Sequence, residues 1–321
     1  ARYIAMNPNI KLPFKRYQIG EVFRDGPIKL GRYREFWQCD VDVVGTRNML
    51  ADAELIKLSL EVFQKLKLNA SMEINNRKLL ESLMKNAGVK KEKLQDTIII
   101  IDKLQKLGLK GVKEELSKIL DEKTLEEITK ILKIEGTAQQ IFDQLEPLIK
   151  GADGREGIEE LKKLFSYFNK KQKENIKLNL SLARGFGYYT GTIFEGFLND
   201  SQVTSSICGG GRYDKMIGNY AGSGEYPAVG ISFGLDVISE AIKIENPDQI
   251  KTKVKKEGIP VDMDITSRAI SKNLDYVDKL DIPYALIIGK KEINQHKFTL
   301  RNMKSGKEKL ISYEDLLRKL K

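Results

Sequence analysis

Apolar and polar positions alternate along two early stretches, residues 16–22 and 33–44, and alternation of this kind is the period of a half-buried strand. A basic, glycine-containing loop joins them, with Asp25-Gly26-Pro27 as its turn signal, so the pair predicts an antiparallel hairpin. Phe36, Cys39, Val41 and Val43 are the burial candidates of the second strand. The period then changes. Leu55, Leu58, Val62 and Leu66 recur three or four apart and predict a helix over 51–66. Helical spacing persists from 77 to 175, in a texture dominated by Lys and Glu. There Thr124 with Glu127 fits a capping box ahead of Leu125, Ile128, Ile131 and Leu132. Gly88, Gly108, Gly111, Gly136 and Gly151 mark helix ends. This stretch reads as a helical insertion, the alternative being more of the surrounding domain.

Alternation returns with Ile176, Leu178, Leu180 and Leu182, and strands are expected at 192–198, 203–207 and 228–233, the last running into a helix at Gly234-Leu235. Strands outnumber crossover helices, which predicts an α+β fold: a mostly antiparallel sheet flanked by helices. The final segment reads as a small α/β module. It has a strand at 259–265, a helix at 269–280, a strand at 284–288, a hairpin from 298–303 and 309–311, and a closing helix from Tyr313. The expected plan is a first core part at 1–76, a helical insertion domain at 77–175, a second core part at 176–245 and a C-terminal module at 246–321.

Composition narrows the function classes. The 321 residues suit two or three domains, and 41% apolar content supplies a sizeable core. No apolar run approaches the roughly 20 residues of a membrane-spanning helix, and the N-terminus has no signal-peptide layout. Two cysteines, Cys39 and Cys208, are too few for a disulfide scaffold or a cysteine-rich zinc site, which points to a reducing compartment. The single histidine, His296, argues against histidine triads and His-rich metal sites. With 55 Lys and Arg against 45 Asp and Glu, the formal net charge is +10, which allows a polyanionic partner without naming one.

Four constellations could carry chemistry. Arg24, Arg32 and Arg34 surround the hairpin loop; planar guanidinium groups on a rigid hairpin suit phosphate or carboxylate, though a solvated basic loop has the same composition. Gln38, Asp40 and Asp42 share one strand face, which is either solvent-facing, as alternation favours, or a polar binding floor. Residues 182–195, LARGFGYYTGTIFE, gather an arginine, glycines that let backbone approach a ligand, and tyrosines with flat faces and hydroxyls. Residues 206–214, SICGGGRYD, put three glycines in a row, which again suits close approach and could also be a plain loop.

In order along the chain, these stretches resemble the histidyl-tRNA synthetases, a class II aminoacyl-tRNA synthetase family, and most of all their archaeal form. Residues 23–38, FRDGPIKLGRYREFWQ, resemble class II motif 2, and 182–195 and 206–214 resemble the two histidine-specific motifs. Residues 228–235, AVGISFGL, resemble the strand and helix of motif 3. The 77–175 stretch sits where that family carries an insertion domain, and the last segment resembles an anticodon-binding domain, here incomplete. The resemblance implies a histidine–tRNA ligase that joins L-histidine to ATP, releases pyrophosphate and passes histidine to the 3′ end of tRNA(His). It further implies Mg2+ alongside ATP, a homodimer, no membrane, no protein-held metal site and a cytoplasmic location. By similarity Arg24 and Arg184 are catalytic, gripping the α-phosphate, with Arg24 also on the histidine carboxylate. Arg32 meets the γ-phosphate end, and Arg34, Glu35 and Phe36 complete the ATP set. Gln38 holds the α-amino group, Asp42 and Tyr189 meet the imidazole nitrogens, and Tyr188, Gly209 and Gly210 complete the histidine pocket. Lys251, Lys253, Lys255 and Lys256 would add attraction for tRNA phosphates, and His296 is read as an incidental surface residue.

The chain departs from the family pattern at several points. Gly26 stands at the motif 2 acid, Gly187 at an acid of the first histidine motif, and Val237 at the motif 3 arginine. Motif 1 and a Glu-x-Thr loop have no counterpart, and 242–256 is short for the first strand and helix of the anticodon domain. Either the chain is a fragment or its residues join ordered stretches of a longer chain, and the second is the expectation. The alternative function is a synthetase-like regulatory subunit of histidine biosynthesis that binds ligand without aminoacylation. Retention of Arg184, Tyr188, Tyr189 and the C-terminal module favours the ligase.

Overall fold

A computed structural model describes residues 1–26, 28, 31–184, 187–199, 201, 203–245, 254, 257–261, 270–289, 292, 295 and 297–320. The chain divides into two compact units, Ala1–Asn199 with Ser205–Asp236, and Asp200–Thr204 with Val237–Lys321.

The first unit is built on a seven-stranded sheet. Its strands are β1 (Phe14–Phe23), β2 (Glu35–Val44), β3 (Ala70–Asn76), β4 (Ile176–Leu178), β5 (Thr192–Leu198), β6 (Cys208–Arg212) and β7 (Ala228–Gly234), in the order β1-β2-β7-β6-β5-β3-β4. Every pairing is antiparallel except β3 with β4. A parallel pair needs a long crossover, and the helical stretch supplies it. It comprises α3 (Arg77–Asn86), α4 (Leu94–Ile101), α5 (Leu104–Leu116), α6 (Glu122–Leu132), α7 (Ala138–Leu145), α8 (Ala152–Ser166) and α9 (Lys170–Lys173). Within the same compact unit, α8 packs on β3 and β5 and on α2 (Met49–Lys65). Helix α2 also lies over β5, β6 and β7. Its Phe63 meets Met72 and Cys208 around Gly196, where a Cβ would reach the Phe63 ring at 2.7 Å, so this core point has room for glycine alone.

Short helices α1 (Arg2–Met6) and α10 (Met216–Ala221) pack together at one end of the sheet, and α11 (Leu235–Glu245) follows β7 directly. The second unit holds α12 (Ile270–Lys279), a three-stranded antiparallel sheet of β8 (Tyr284–Ile287), β9 (Phe298–Asn302) and β10 (Glu308–Ile311) in the order β10-β9-β8, and α13 (Tyr313–Leu320). Val254, Leu300, Ile311 and Leu316 form its core.

Several expectations are corrected. The cap of α6 is Asp121, which accepts from the Thr124 N–H at 3.0 Å; Thr124 lies one turn inside the helix. The strand expected at 203–207 begins instead at Cys208, so Gly209, Gly210 and Gly211 lie inside a central strand rather than in a loop. The alternation from Ile176 to Leu182 is strand only to Leu178. Beyond it, the Asn179 side chain accepts from the Ser181 N–H at 2.9 Å and turns the chain, while Leu180 and Leu182 stay buried. Phe36 and Val43 are buried as expected, but Cys39 and Val41 are only half-buried. Residues 262–265 of the strand expected at 259–265, and Lys251, Lys253, Lys255, Lys256 and His296, lie outside the described residues.

A buried ion network closes the end of β6. Arg212 is 2% exposed and pairs with Asp52 on α2, itself fully buried; its Nη1 also donates to the Thr46 carbonyl at 2.9 Å and lies 3.5 Å from Asp214 Oδ1. Asp214 Oδ1 in turn accepts the Ala228 N–H at 2.9 Å, which fastens β7 to the same cluster. Removing one partner of such a pair leaves an uncompensated charge away from water. Asp52→Ala should therefore cost about 3–5 kcal/mol, read as a lowered urea midpoint; an unchanged midpoint would show that water reaches Arg212.

Candidate active site

Register places the chemistry. In one row across the sheet, Glu73, Glu195, Gly209, Ser232, Asp40 and Gln18 stand side by side. Two residues along each strand a second row runs Asn75, Ile193, Gly211, Gly230, Asp42 and Arg16. Paired residues share a face, so these rows form one polar face. The intervening rows, such as Ile74, Phe194, Gly210, Ile231, Val41 and Tyr17, form the apolar face.

Arg184 lies on the polar face, and glycine is what lets it. A Cβ on Gly209 would overlap the Arg184 guanidinium, and one on Gly211 would come within 2.8 Å of the Tyr189 ring. The guanidinium sits 5.7 Å from the Tyr189 centroid, and its Nε is 3.4 Å from Glu195 Oε1. Its Nη1 is buried and has no hydrogen-bond partner among the described residues. Arg184 is also one of three non-glycine residues with positive φ among those described, at 45°. Burial works most strongly against its charge, but Glu195 together with Tyr189, Tyr188 and Cys208 outweighs burial and raises its pKa. Burial pushes the Glu195 carboxyl up to about 7 despite the Arg184 charge, with Asp102 and Glu73 adding to the rise.

Asp42 is the second anchor. Tyr213 Oη donates to its Oδ1 at 2.6 Å, and Arg16 Nη1 lies 3.4 Å from its Oδ2. A Cβ on Gly230 would overlap Asp42 Oδ1, so the cross-strand neighbour leaves the carboxylate room. Burial raises the Asp42 pKa, with Tyr213 and Arg16 opposing it. Burial and the facing Asp42 charge push the Tyr213 hydroxyl well up, so it stays a donor. Asp40 accepts from Ser232 Oγ at 2.5 Å. The face of Gln38, Asp40 and Asp42 is thus a partly buried polar floor, not the solvent face that alternation favours. Tyr188 and Tyr189 touch, with ring centroids 4.5 Å apart; Tyr189 is 8% exposed and burial pushes its hydroxyl pKa up.

At the hairpin loop the Arg24 guanidinium lies 4.0 Å over the Phe36 ring, and its Nε donates to the Tyr33 carbonyl at 3.0 Å. Burial and the nearby Arg32 charge lower its pKa. Neither Arg24 nor Arg32 has a carboxylate partner among the described residues. Two guanidinium groups close enough to repel, without an acid between them, suit a polyanion.

Three candidates are placed differently. Arg34 is exposed and its Nε donates to the Gly26 carbonyl at 3.2 Å. Glu35 lies on the strand face opposite Phe36, Gln38 and Asp42, where its hydrogen bond raises the Glu21 pKa. Gly210 faces the core: a Cβ there would meet Phe194 at 2.8 Å. Of the residues that complete the site, Glu195, Tyr213, Arg16 and Asp102 were not singled out from sequence. Glu195 had a signal, an acid inside an otherwise apolar strand; Arg16 and Asp102 had none, because their partners are distant in sequence.

The comparisons agree with one another. A family model described as Histidyl-tRNA synthetase matches residues 1–238, and one described as Anticodon binding domain matches residues 237–321. The chain is 39% identical to Histidine--tRNA ligase 1 of Bacillus cereus over 98% of its own length and 79% of that protein. It is 36% identical to Histidine--tRNA ligase of Finegoldia magna over its whole length and 81% of that protein. Both are bacterial, so the expected leaning toward the archaeal form has no counterpart in them. Among solved structures, histidyl-tRNA synthetase from Nostoc sp. PCC 7120 superposes with a TM-score of 0.68 at 28% identity, covering 99% of this chain and 80% of that one. An ATP phosphoribosyltransferase regulatory subunit/histidyl-tRNA synthetase from Bacillus halodurans C shares the fold, with a TM-score of 0.64 at 20% identity over 86% of this chain and 75% of that one.

Glu195 gives this site a pH signature. The folded chain holds the Glu195 proton up to about 7, whereas the unfolded chain releases it near 4.5. Across that window the unfolded state binds fewer protons, so the group's contribution to stability falls as pH rises. Glu195→Gln cannot titrate and should flatten that part of the stability–pH curve, by about 3 kcal/mol at the most. Urea midpoints at pH 4.5 and 7.5 measure it; parallel curves for both chains would show that Arg184 keeps Glu195 ionised throughout.

Proposed function

The chain belongs to the histidyl-tRNA synthetase family, and on that premise we propose how its residues divide the work. It is a histidine–tRNA ligase, an ATP-dependent enzyme that activates histidine and passes it to tRNA. In the first step a carboxylate oxygen of histidine bonds to the α-phosphorus of ATP and the bond to pyrophosphate breaks. Both reacting groups are anionic, so fixed cations are needed where charge accumulates.

The observation that carries the reading is the buried Arg184 Nη1, unpartnered among the described residues and lying on a glycine floor. It is the donor for the α-phosphate, with Arg24 on the α-phosphate and histidine carboxylate from the hairpin side. Arg32 takes the γ-phosphate end, Phe36 backs Arg24, and Arg34 serves the loop; Glu35, on the opposite face, drops out of the ATP set. Asp42 accepts the imidazole N–H and Tyr189 meets the other nitrogen, which uses the one donor and one acceptor of neutral imidazole. Tyr213 holds Asp42 for that task. Gln38 takes the α-amino group, and Tyr188 with Gly209 lines the pocket.

Among the described residues no group of three or more His, Cys, Asp or Glu is placed to hold a metal ion. Mg2+ enters with the nucleotide phosphates, as its preference for phosphate and water oxygens allows. The C-terminal unit, matched by the anticodon-binding model, reads tRNA(His). No described helix is long and apolar enough to cross a membrane, and the enzyme works in the cytoplasm. Val237, at the motif 3 arginine position, is buried at 5% exposure; it is the observation that keeps the regulatory-subunit reading as the alternative.

A second copy of the chain covers the apolar face where β1 ends the sheet. The apolar rows run unbroken from beneath α2 to Tyr17 and Ile19 on the edge strand, which are 78% and 57% exposed. Trp37 and Phe23 stand exposed beside them. An apolar patch this continuous with a covered core marks an interface.

Histidine-dependent ATP–pyrophosphate exchange tests the activity. Exchange with histidine alone is expected, and no exchange with histidine still bound would transfer the assignment to the regulatory reading. Arg184→Ala should slow exchange by about 10²–10³ with little change in histidine binding; an unchanged rate removes Arg184 from the step. For the interface, Tyr17→Glu with Ile19→Glu should sediment as a monomer where the unaltered chain sediments as a dimer, and a dimer from the variant would place the interface elsewhere.

A further inference from the structure

Three groups fix the segment that carries Arg184. Asn75, fully buried on β3, donates through Nδ2 to the Leu182 carbonyl at 2.9 Å and the Leu180 carbonyl at 3.3 Å. Glu195 on β5 pairs with the guanidinium. Asp102, immediately after α4, accepts through Oδ1 from the backbone N–H groups of both Ala183 and Arg184, each at 2.9 Å. Asn75 and Glu195 belong to the sheet. Asp102 alone of the three comes from the helical crossover.

The helix itself gives no reason for an acid at this position. Asp102 is the C-terminal cap of α4, where the helix dipole disfavours negative charge. The side chain is exposed, so it fills no core. What it does have is two consecutive amide donors converging on one oxygen, a charge-assisted pair. One of those donors is the N–H of Arg184 itself and the other is that of the residue before it, and the Arg184 φ of 45° is a left-handed conformation that a side chain larger than glycine adopts at a cost. Released from Asp102, the residue would relax toward negative φ, and its guanidinium would leave the Gly209 floor.

We infer that Asp102 is a positioning residue for histidine activation: it holds the Arg184 backbone in the left-handed conformation that aims the guanidinium at the α-phosphate. The inference rests on the role proposed for Arg184. It makes the helical crossover a structural part of the activating site, through one carboxylate.

The test is a double-mutant cycle in histidine-dependent ATP–pyrophosphate exchange, on the full chain, with urea midpoints recorded for every variant. Asp102→Ala should lower kcat by about 10- to 100-fold, the scale of a misplaced catalytic group, with KM for histidine within about twofold. Asp102→Asn keeps an acceptor oxygen and should retain most of the rate. In an Arg184→Ala background, Asp102→Ala should cost nothing further, because its effect passes through the absent guanidinium. A general structural role would instead lower the midpoint and add its cost in both backgrounds, which overturns the inference. So would an unchanged kcat in Asp102→Ala while Arg184→Ala is slow, an outcome that leaves the role of Arg184 standing. If Asp102→Ala does not fold, Asp102→Asn decides: a rate as low as Arg184→Ala overturns the inference, and a retained rate that falls no further with Arg184→Ala than in the unaltered chain supports it. No exchange by the unaltered chain, or an Arg184→Ala variant as fast as it, would remove the Arg184 reading and the inference with it.

Discussion

A guanidinium can lie flat on a β-sheet only where the strand beneath it has no side chains, and β6 meets that condition with Gly209, Gly210 and Gly211. Each serves a different neighbour. Gly209 admits Arg184, Gly211 admits Tyr189, and Gly210 lets β6 approach Phe194 and the Gly230 carbonyl on the core side. Such a strand gains little from packing of its own and loses more backbone entropy than any other composition. Its order comes from the ladders with β5 and β7 on either side and from the anchor at one end. At one end Arg212 is locked to Asp52, Asp214 and the Thr46 carbonyl, and Tyr213 reaches over to Asp42. The stretch that could be a plain loop is thereby a central strand, paired on both sides and anchored at its Arg212 end.

The same logic explains how much was legible in the sequence. The hairpin, α2 and the C-terminal hairpin follow from alternation or helical spacing, whereas β5 and β7, buried on both faces, read as short apolar runs. The three glycines carry no period, so the pattern put a strand before them and left them as a possible loop. The alternation past Leu178 misled for a related reason: Leu180 and Leu182 are buried, but Asn179 and Asn75 take up the backbone polar groups that a strand partner would otherwise take. Burial and strand pairing usually go together, and here side-chain amides separate them.

Site residues were legible where the motif itself juxtaposes them. Arg184, Tyr188 and Tyr189 are neighbours in sequence and in space. Partners that meet through sheet register are a different matter. Arg16 and Asp42 face each other because β1 pairs with β2 at that register, and Glu195 stands beside Gly209 because β5 pairs with β6. Parity settles Glu35 in the same way: one residue from Phe36 along the strand is the opposite face, whatever the motif it belongs to. Asp102 is harder still, since its partners are backbone amides and leave no mark on side-chain pattern.

Burial in this site works on two opposite charges at once, and the balance decides what the site can do. Arg184 and Glu195 are both removed from water; burial lifts the Glu195 pKa to about 7, so that near neutral pH it is only partly ionised, whereas Arg184 stays charged. A guanidinium fully neutralised by a strong carboxylate partner would have little attraction left for a phosphate. A guanidinium with no partner would cost too much to bury. Glu195 lies between these limits because burial disfavours its charge, with smaller repulsion from Asp102 and from Glu73 beside it in the row. The acids crowded behind Arg184 weaken one another's hold on it, and the unpartnered Nη1 is where that surplus positive charge faces the polar surface.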